Sequence, residues 1–175
     1  MKKLTLILFL FLMSGILCCA QTAPMKSANK KVETASAEPE REKFDPTRNS
    51  KIDLQMAIAN AQADGKRIIL DVGGEWCGWC RYMDKFFTQN PKLAKMRDEN
   101  FVWLKINMSE ENENKEFLAL YPTIKGYPHI FVLEKDGAFL HSQDTAEFED
   151  KESYNLKKFT EFLQKWSPVK ESSSK

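Results

Sequence analysis

The stretch EWCGWCRYM, residues 75–83, holds two cysteines, Cys77 and Cys80, that are separated by two residues. A tryptophan, Trp76 or Trp79, precedes each of them. Two cysteines at this spacing can form a reactive redox centre, contribute half of a metal site or form a static disulfide. The chemistry of the chain depends on which of these three descriptions holds.

A metal site would find few further ligands in this sequence. The two histidines, His129 and His141, do not stand in a zinc-finger spacing with the cysteine pair. A static bridge that closes so small a loop gains little chain entropy. A pair of buried structural thiols would be unusual in an oxidising compartment. The sequence therefore favours a redox pair, and it predicts no metal, nucleotide or organic cofactor.

Thiol–disulfide exchange requires a thiolate that attacks and a second thiol that resolves the mixed disulfide. We expect a helix to begin near Cys77, because this places both sulfurs at a helix N-terminus. Unpaired N–H groups and the positive end of the helix dipole then favour a thiolate at the first cysteine. Cys77 is thus the predicted nucleophile and the exposed sulfur, and Cys80 is the resolving thiol. Trp76 and Trp79 are expected to form an apolar collar that contacts a substrate polypeptide.

The first residues, 1–20, have the pattern of a secretory signal peptide. Two lysines precede an almost continuous apolar run, Leu4–Leu17, which is too short to span a bilayer comfortably, and small residues precede a cut after Ala20. A retained membrane anchor is one alternative, and a lipoprotein acylated at Cys18 or Cys19 is another. In each case we expect an extracytoplasmic protein, in the bacterial periplasm, where disulfides persist.

The rest of the chain divides by composition. Residues 21–50 are rich in Lys, Glu, Ala, Ser and Pro, with Phe44 as their only aromatic residue, and predict a disordered charged linker. Residues 168–175 predict a flexible tail. The intervening segment, residues 51–167, has a common size for one domain. The formal net charge of +1 gives no indication of a nucleic-acid partner.

Hydrophobic periodicity predicts the order helix, strand, helix, strand, helix, strand, strand, helix within this domain. The predicted strands are 67–72, 101–107, 129–134 and, after the turn Asp136-Gly137, 138–142. The predicted helices run from a capping box at Ser50 to Gly65, from near Cys77 with an interruption at Pro91 to Arg97, from Ser109 to about Leu120, and through Leu156–Trp166. An early parallel crossover followed by a hairpin implies an α/β fold, with a central mixed β-sheet flanked by helices on both faces.

The segment IILDVGGEWCGWC, with FVWLKIN and YPTIKGYPHIFVLEKDG further on, resembles the thioredoxin superfamily. The likeness covers the domain from about Lys51 to Trp166. The EWCGWC form, preceded by DLQMAIANAQADGKRIILD, is most similar to the thioredoxin-like domains of extracytoplasmic thiol:disulfide interchange proteins. The resemblance implies a thioredoxin-like fold, protein-disulfide reductase activity, protein substrates that carry disulfides, and a membrane or periplasmic redox partner.

The resemblance also assigns roles by position. Asp71 matches a buried carboxylate behind the second cysteine, which could take the proton from Cys80; the alternative is a strand-end acid exposed to water. Lys105 matches a lysine near that carboxylate, or else faces outward. Pro128 matches the cis-proline that faces the disulfide, although an ordinary trans turn proline is possible. Tyr127 would then offer backbone groups to the substrate chain.

Some positions depart from thioredoxin itself. Trp79 replaces the proline common between the cysteines, and His129 follows Pro128 where thioredoxin carries a threonine. His129 could stabilise a thiolate as an imidazolium or only fill the start of the strand. These departures leave the direction of electron flow open, so a disulfide oxidase or isomerase is an alternative.

A binding module is the alternative of another class. The chain would then be a chaperone-like holder of unfolded polypeptides, or a copper carrier that uses Cys77 and Cys80. We expect a monomer. We expect membrane contact only if Cys18 or Cys19 carries a lipid.

Overall fold

The computed structural model describes residues 42–169. Four strands form its central sheet, namely β1 (Arg67–Gly73), β2 (Phe101–Asn107), β3 (His129–Leu133) and β4 (Phe139–Asp144). They lie in the order β2-β1-β3-β4. β1 pairs with β2 in parallel and with β3 antiparallel, and β3 pairs antiparallel with β4. The predicted mixed sheet is therefore confirmed.

Five α-helices accompany the sheet, namely α1 (Ser50–Asp64), α2 (Gly78–Gln89), α3 (Pro91–Asn100), α4 (Lys115–Leu118) and α5 (Leu156–Trp166). A short antiparallel pair that the sequence did not predict, β5 (Glu149–Asp150) and β6 (Ser153–Tyr154), precedes α5. Within residues 42–169, none of the helices combines the length and the apolar character needed to cross a bilayer.

The alternation of side chains along β1 divides the core between the two faces of the sheet. Ile68, Leu70 and Val72 pack on one face with residues of α1 and α4. Ile69 packs on the other face with residues of α2, α3 and α5, and Asp71 shares this face because it lies two residues further along the strand. The redox pair at the start of α2 and the acid of β1 are thus on the same side of the sheet.

The first helix begins with a different cap from the predicted one. The side chain of Asn49 accepts hydrogen bonds from the N–H groups of Lys51 and Ile52, so Asn49 and not Ser50 is the N-cap. The carboxylate of Asp53, expected to complete a capping box, instead accepts from Arg48 Nε at 2.8 Å. The prediction of a capping box at Ser50 was therefore wrong by one residue.

The predicted helix from Ser109 to about Leu120 is reduced to the single turn of α4. Ser109 pairs with Asn112 in an isolated antiparallel bridge, which turns the chain back on itself. Asn114 then adopts the left-handed conformation, with φ of 49°. Asparagine side chains compete for backbone hydrogen bonds and tolerate this conformation, so the Asn-rich stretch ends in a turn and the helix starts late.

The composition of residues 21–50 predicts a linker, but one of its described residues, Phe44, is buried against the domain. Phe44 is only 2% exposed, so the part of the linker that the structure describes packs on the domain. One aromatic ring buries enough apolar area to fix a short segment that is otherwise polar. The predicted signal peptide 1–20, most of the linker and the end of the tail lie outside the described residues.

Candidate redox site

Cys77 and Cys80 form a disulfide at the N-terminus of α2, with a Cα–Cα distance of 5.3 Å. Cys77 is the N-cap residue, in an extended conformation, and its Sγ accepts a hydrogen bond from the N–H of Cys80 at 3.1 Å. The N–H of Cys77 donates to the carbonyl of Gly74 at 3.0 Å. The local sequence thus places both sulfurs in the first turn, as the spacing predicts.

Both sulfurs are covered in the disulfide form. Cys77 is 3% exposed and Cys80 is 2% exposed. Three aromatic side chains pack around them, those of Phe44, Trp79 and Tyr127. The prediction that Cys77 is the exposed sulfur therefore does not hold for this state, because the rings shield it. An attacking thiol must displace part of this aromatic cover to reach the bond.

The two tryptophans of the motif have different surroundings. Trp76 is 56% exposed, and its Nε1 donates to the carbonyl of Met108 at 2.7 Å. Its ring meets that of Tyr127 edge to face at 5.5 Å. A Cβ at Gly74 would lie 2.4 Å from Trp76 Nε1, so only glycine allows this position of the indole. The exposed Trp76 and the half-buried Tyr127 thus form an aromatic surface beside the disulfide.

Trp79 instead turns toward the domain. Its ring lies 5.4 Å from those of both Tyr82 and Tyr154, and its carbonyl accepts from Tyr154 Oη at 3.2 Å. It is half-buried in contact with the pair. The predicted collar is therefore asymmetric, with one tryptophan outside and one packed within.

Pro128 stands at the entry to β3, and the Tyr127–Pro128 peptide bond is cis. Pro128 is buried, and its carbonyl accepts a hydrogen bond from Thr145 Oγ1. The next residue, His129, pairs with Val72 near the end of β1. This register brings Tyr127 into contact with the cysteine pair. Pro128 thus directly follows a residue that packs against the cysteine pair.

Asp71 and Lys105 are both buried and directly opposite each other on β1 and β2. Lys105 Nζ donates to Asp71 Oδ2 at 3.0 Å and to Asp84 Oδ1 at 2.8 Å. Burial alone lowers the pKa of Lys105, but the two carboxylates more than offset this and raise the pKa above its ordinary value. The ammonium is therefore charged and bridges β1, β2 and α2.

Asp84 was not singled out from the sequence. It follows Cys80 by four residues, a spacing that puts both side chains on one face of α2, and this was the signal that could have found it. Asp71 Oδ2 also accepts from Trp103 Nε1 at 3.1 Å. Asp71 Oδ1 is buried and has no hydrogen-bond partner among residues 42–169. This oxygen therefore receives no hydrogen bond from the described residues.

His129 lies on the other face of the sheet from Asp71. It pairs with Val72, its ring packs on that of Phe131 at 4.8 Å, and Nε2 hydrogen-bonds Ser142 Oγ at 2.8 Å. Burial lowers the pKa of His129, and the charge of Asp144 opposes this only in part. The neutral imidazole favours the interpretation that His129 fills the start of the strand.

The lowered pKa of His129 predicts a pH dependence of folding. Because the ordinary value of 6.5 is the higher one, the unfolded chain binds this proton first as the pH falls. The contribution of His129 to the free energy of unfolding should be complete above about pH 6.5. It should decline below that pH by up to about 1.4 kcal/mol per pH unit. Urea unfolding between pH 7.5 and 5.5 measures this slope. His129→Gln should flatten it. An equal slope in wild type and His129→Gln would contradict the assignment.

A sequence profile described as thioredoxin-like matches residues 48–135. This is half of the 175 residues, and the chain belongs to the thioredoxin-like family. The thiol:disulfide interchange protein DsbD of Colwellia psychrerythraea is 31% identical over 97 residues, which are 54% of this chain and 16% of that protein. DsbD of Pseudomonas fluorescens is 28% identical over 126 residues, 71% of this chain and 20% of that protein. The chain thus spans a fifth or less of the length of these two curated relatives.

A solved structure agrees with the family assignment. A protein described as a disulphide isomerase from Xylella fastidiosa Temecula1 superposes with a TM-score of 0.61 and 23% sequence identity. The match covers 70% of this chain and 94% of that one. At this identity the likeness concerns the fold, and the predicted thioredoxin-like α/β fold is confirmed.

Proposed function

We propose that this protein is an extracytoplasmic thiol:disulfide oxidoreductase that reduces disulfides in protein substrates. The observation that supports it most directly is the Cys77–Cys80 disulfide at the N-terminus of α2, packed against Tyr127, the residue before Pro128. A buried acid and ammonium, Asp71 and Lys105, lie behind it on the same side of the sheet. The relatives described as thiol:disulfide interchange proteins support the same chemistry.

In the reducing direction the reaction starts from the dithiol. The thiolate of Cys77 attacks one sulfur of the substrate disulfide, whose S–S bond breaks as the bond to Cys77 forms. The other substrate sulfur leaves as a thiolate. The exposed ring of Trp76, with the half-buried ring of Tyr127 beside it, is placed to contact the substrate chain during this step. Backbone groups of Tyr127 are available for strand-like pairing with it.

Resolution requires Cys80 to lose its proton. Asp71 Oδ1, buried and without a hydrogen-bond partner among the described residues, takes that proton. The Cys80 thiolate attacks Cys77 Sγ, the Cys77–Cys80 bond forms, and the remaining substrate sulfur leaves as a thiolate that gains a proton. Two electrons have then passed from the pair to the substrate. A dithiol of a membrane or periplasmic partner protein restores the reduced pair.

The shared ammonium makes this proton transfer possible inside the protein. Lys105 contacts Oδ2 of Asp71, so the opposite carboxylate oxygen remains open. When Asp71 becomes neutral, the ammonium still has Asp84 as a charged partner at 2.8 Å. A buried cation therefore keeps an ion pair through the whole cycle, which avoids the cost of an unpaired buried charge.

The location and assembly of the protein belong to the same proposal. Residues 1–20 would be a signal peptide that directs export. Residues 21–50 would be the linker that precedes the domain 51–167, and residues 168–175 would form a flexible tail. The mature protein would act as a monomer in the periplasm. A lipid on Cys18 or Cys19 would instead hold it at the membrane.

The reduction potential of the Cys77–Cys80 pair tests the direction of the reaction. The purified protein is equilibrated in buffers that cover a series of thiol-to-disulfide ratios, and its free thiols are then trapped with an alkylating agent. Mass spectrometry measures the fraction of protein in the reduced form. We expect a value near that of thioredoxin, about −270 mV, because a reductant of protein disulfides must hold its electrons at low potential. A Cys77→Ser, Cys80→Ser double variant gives the unreactive baseline.

Two other results would redirect the proposal. A potential between about −180 and −120 mV would mean an isomerase or a disulfide donor and would contradict the reductase. If the Cys77–Cys80 pair never interconverts between disulfide and dithiol, the oxidoreductase proposal fails and the binding module is the remaining alternative. Stoichiometric copper uptake would then identify a carrier, whereas suppression of aggregation by the double serine variant would identify a holder.

A further inference from the structure

The chain that precedes α1 places one aromatic ring directly on the redox pair. Residues 42–49 form no helix or strand, and Phe44 is the only aromatic residue among them. Its side chain forms a cluster with Cys77 and Cys80 that is separate from the two halves of the core. The segment therefore buries its one aromatic side chain at the reactive centre.

Hydrogen bonds on both sides of the ring hold this segment in place. The N–H of Phe44 donates to Glu75 Oε1 at 2.9 Å, two residues before the first cysteine. Asp45 then closes a turn, because its Oδ1 accepts from the N–H and the Oγ1 of Thr47 at 2.8 and 2.7 Å. The backbone thus fixes the ring over the sulfurs.

The same ring meets the charged group behind the pair. Lys105 Nζ lies 4.2 Å from the centroid of the Phe44 ring, within the range of a cation–π contact. A Cβ at Gly73 would lie 2.5 Å from Cys80 Sγ and 3.1 Å from Phe44 Cζ. Phe44 therefore lies close to both the resolving sulfur and the ammonium, which belong to residues that are buried in the structure.

We propose that Phe44 is a positioning residue that sets the balance between the disulfide and the dithiol by keeping water away from the sulfurs. The inference deepens the proposed function and rests on it, because it requires a pair that interconverts. Phe44 makes and breaks no bond. It acts through Cys77 and Cys80, whose charged forms it disfavours.

The direction of the effect follows from the charges. An apolar cover disfavours charged groups beneath it. The disulfide is neutral, whereas the reduced pair carries a thiolate. Removal of the ring admits water, stabilises the thiolate and shifts the equilibrium toward the dithiol. Lys105 keeps both of its carboxylate partners in such a variant, so hydration of the sulfurs dominates the change.

Phe44→Ala tests this directly. In graded thiol/disulfide buffers we expect its equilibrium constant to shift about tenfold toward the dithiol, which is about 30 mV for a two-electron couple. In the reduced variant, the pH at which Cys77 reacts half-maximally with iodoacetamide should also fall. Phe44→Leu keeps part of the apolar cover and should move both quantities in the same direction by less. If the alanine variant does not fold, the measurements on Phe44→Leu test the proposal instead.

Phe117→Ala is the matched control. Phe117 is also 2% exposed, but it packs on the other face of the sheet, beside Tyr121. Its loss should lower stability without moving the redox equilibrium or the iodoacetamide profile. The inference fails if the two Phe44 variants match this control in both readouts while the wild type interconverts normally. If the wild-type pair does not interconvert between disulfide and dithiol, the proposed function is contradicted, and the inference about Phe44, which rests on it, is contradicted as well.

Discussion

Replacing Cys77 with serine should reduce the rate of insulin-disulfide reduction, driven by dithiothreitol, by about three orders of magnitude or more. Removal of a covalent nucleophile has effects of this size in other enzymes, because no second group can take over the bond-forming step. Cys77 is the N-cap of α2, where the helix end favours a thiolate, and it clusters with Tyr127, whose ring meets the exposed Trp76. Serine is too weakly acidic to replace it.

Cys80→Ser should fail at a later step. Its Cys77 can still attack, but without a resolving thiol the mixed disulfide with substrate persists. Mass spectrometry under non-reducing conditions should find this covalent adduct in Cys80→Ser and no adduct in Cys77→Ser. The two variants control each other, because both lose the same bridge and one sulfur. Any difference between them reports the roles of the thiols rather than the loss of the disulfide.

The opposite pattern would overturn the assignment. An adduct in Cys77→Ser and none in Cys80→Ser would make Cys80 the nucleophile. Equal activity of both variants and the wild type would remove the redox mechanism altogether.

Lys105→Met should lower the free energy of unfolding by about 3–5 kcal/mol, the cost of breaking a buried ion pair from one side. Methionine is similar in length but removes the cation between the buried carboxylate of Asp71 and the half-buried carboxylate of Asp84. Like charges in an apolar site repel each other and cannot be hydrated. Urea unfolding at pH 7 measures the loss.

Lys51→Met is the control for this experiment. Lys51 pairs with Glu116 at 3.4 Å, but the two side chains are 60% and 90% exposed. Exposed pairs contribute about 0–1 kcal/mol, so this variant should be nearly neutral. If Lys105→Met cost no more than Lys51→Met, the buried group would not be charged as described.

The strands and the cysteine pair were predictable because their signals are local. Apolar runs with few interruptions identified β1, β2 and β3, and β2 was placed at its observed bounds, 101–107. The start of α2 near Cys77 followed from the spacing of the motif. By contrast, α4 was predicted too long, since hydrophobic periodicity carries no information about the left-handed turn at Asn114.

The missing parts of the site depend on contacts between distant segments. Phe44 stands in a polar stretch whose composition indicates a linker, and only the folded chain brings its ring to the cysteines. Asp84 is one acid among many on helices, and its position gains meaning only when Lys105 reaches it from β2. The spacing from Cys80 could have singled out Asp84, but neither composition nor periodicity shows that its partner is Lys105 or that Phe44 reaches the cysteines.

The loop between β1 and α2 limits how this centre can be altered by evolution or by design. Side chains at Gly73 and Gly74 would collide with Cys80 Sγ and Trp76 Nε1, at 2.5 and 2.4 Å. A Cβ at Gly78 would meet only Arg81, at 3.9 Å. Libraries aimed at new substrates should therefore leave the first two glycines fixed and diversify the residue that follows the nucleophile. The same difference predicts that related proteins with this fold and disulfide can vary at the position of Gly78 but keep glycine at the positions of Gly73 and Gly74.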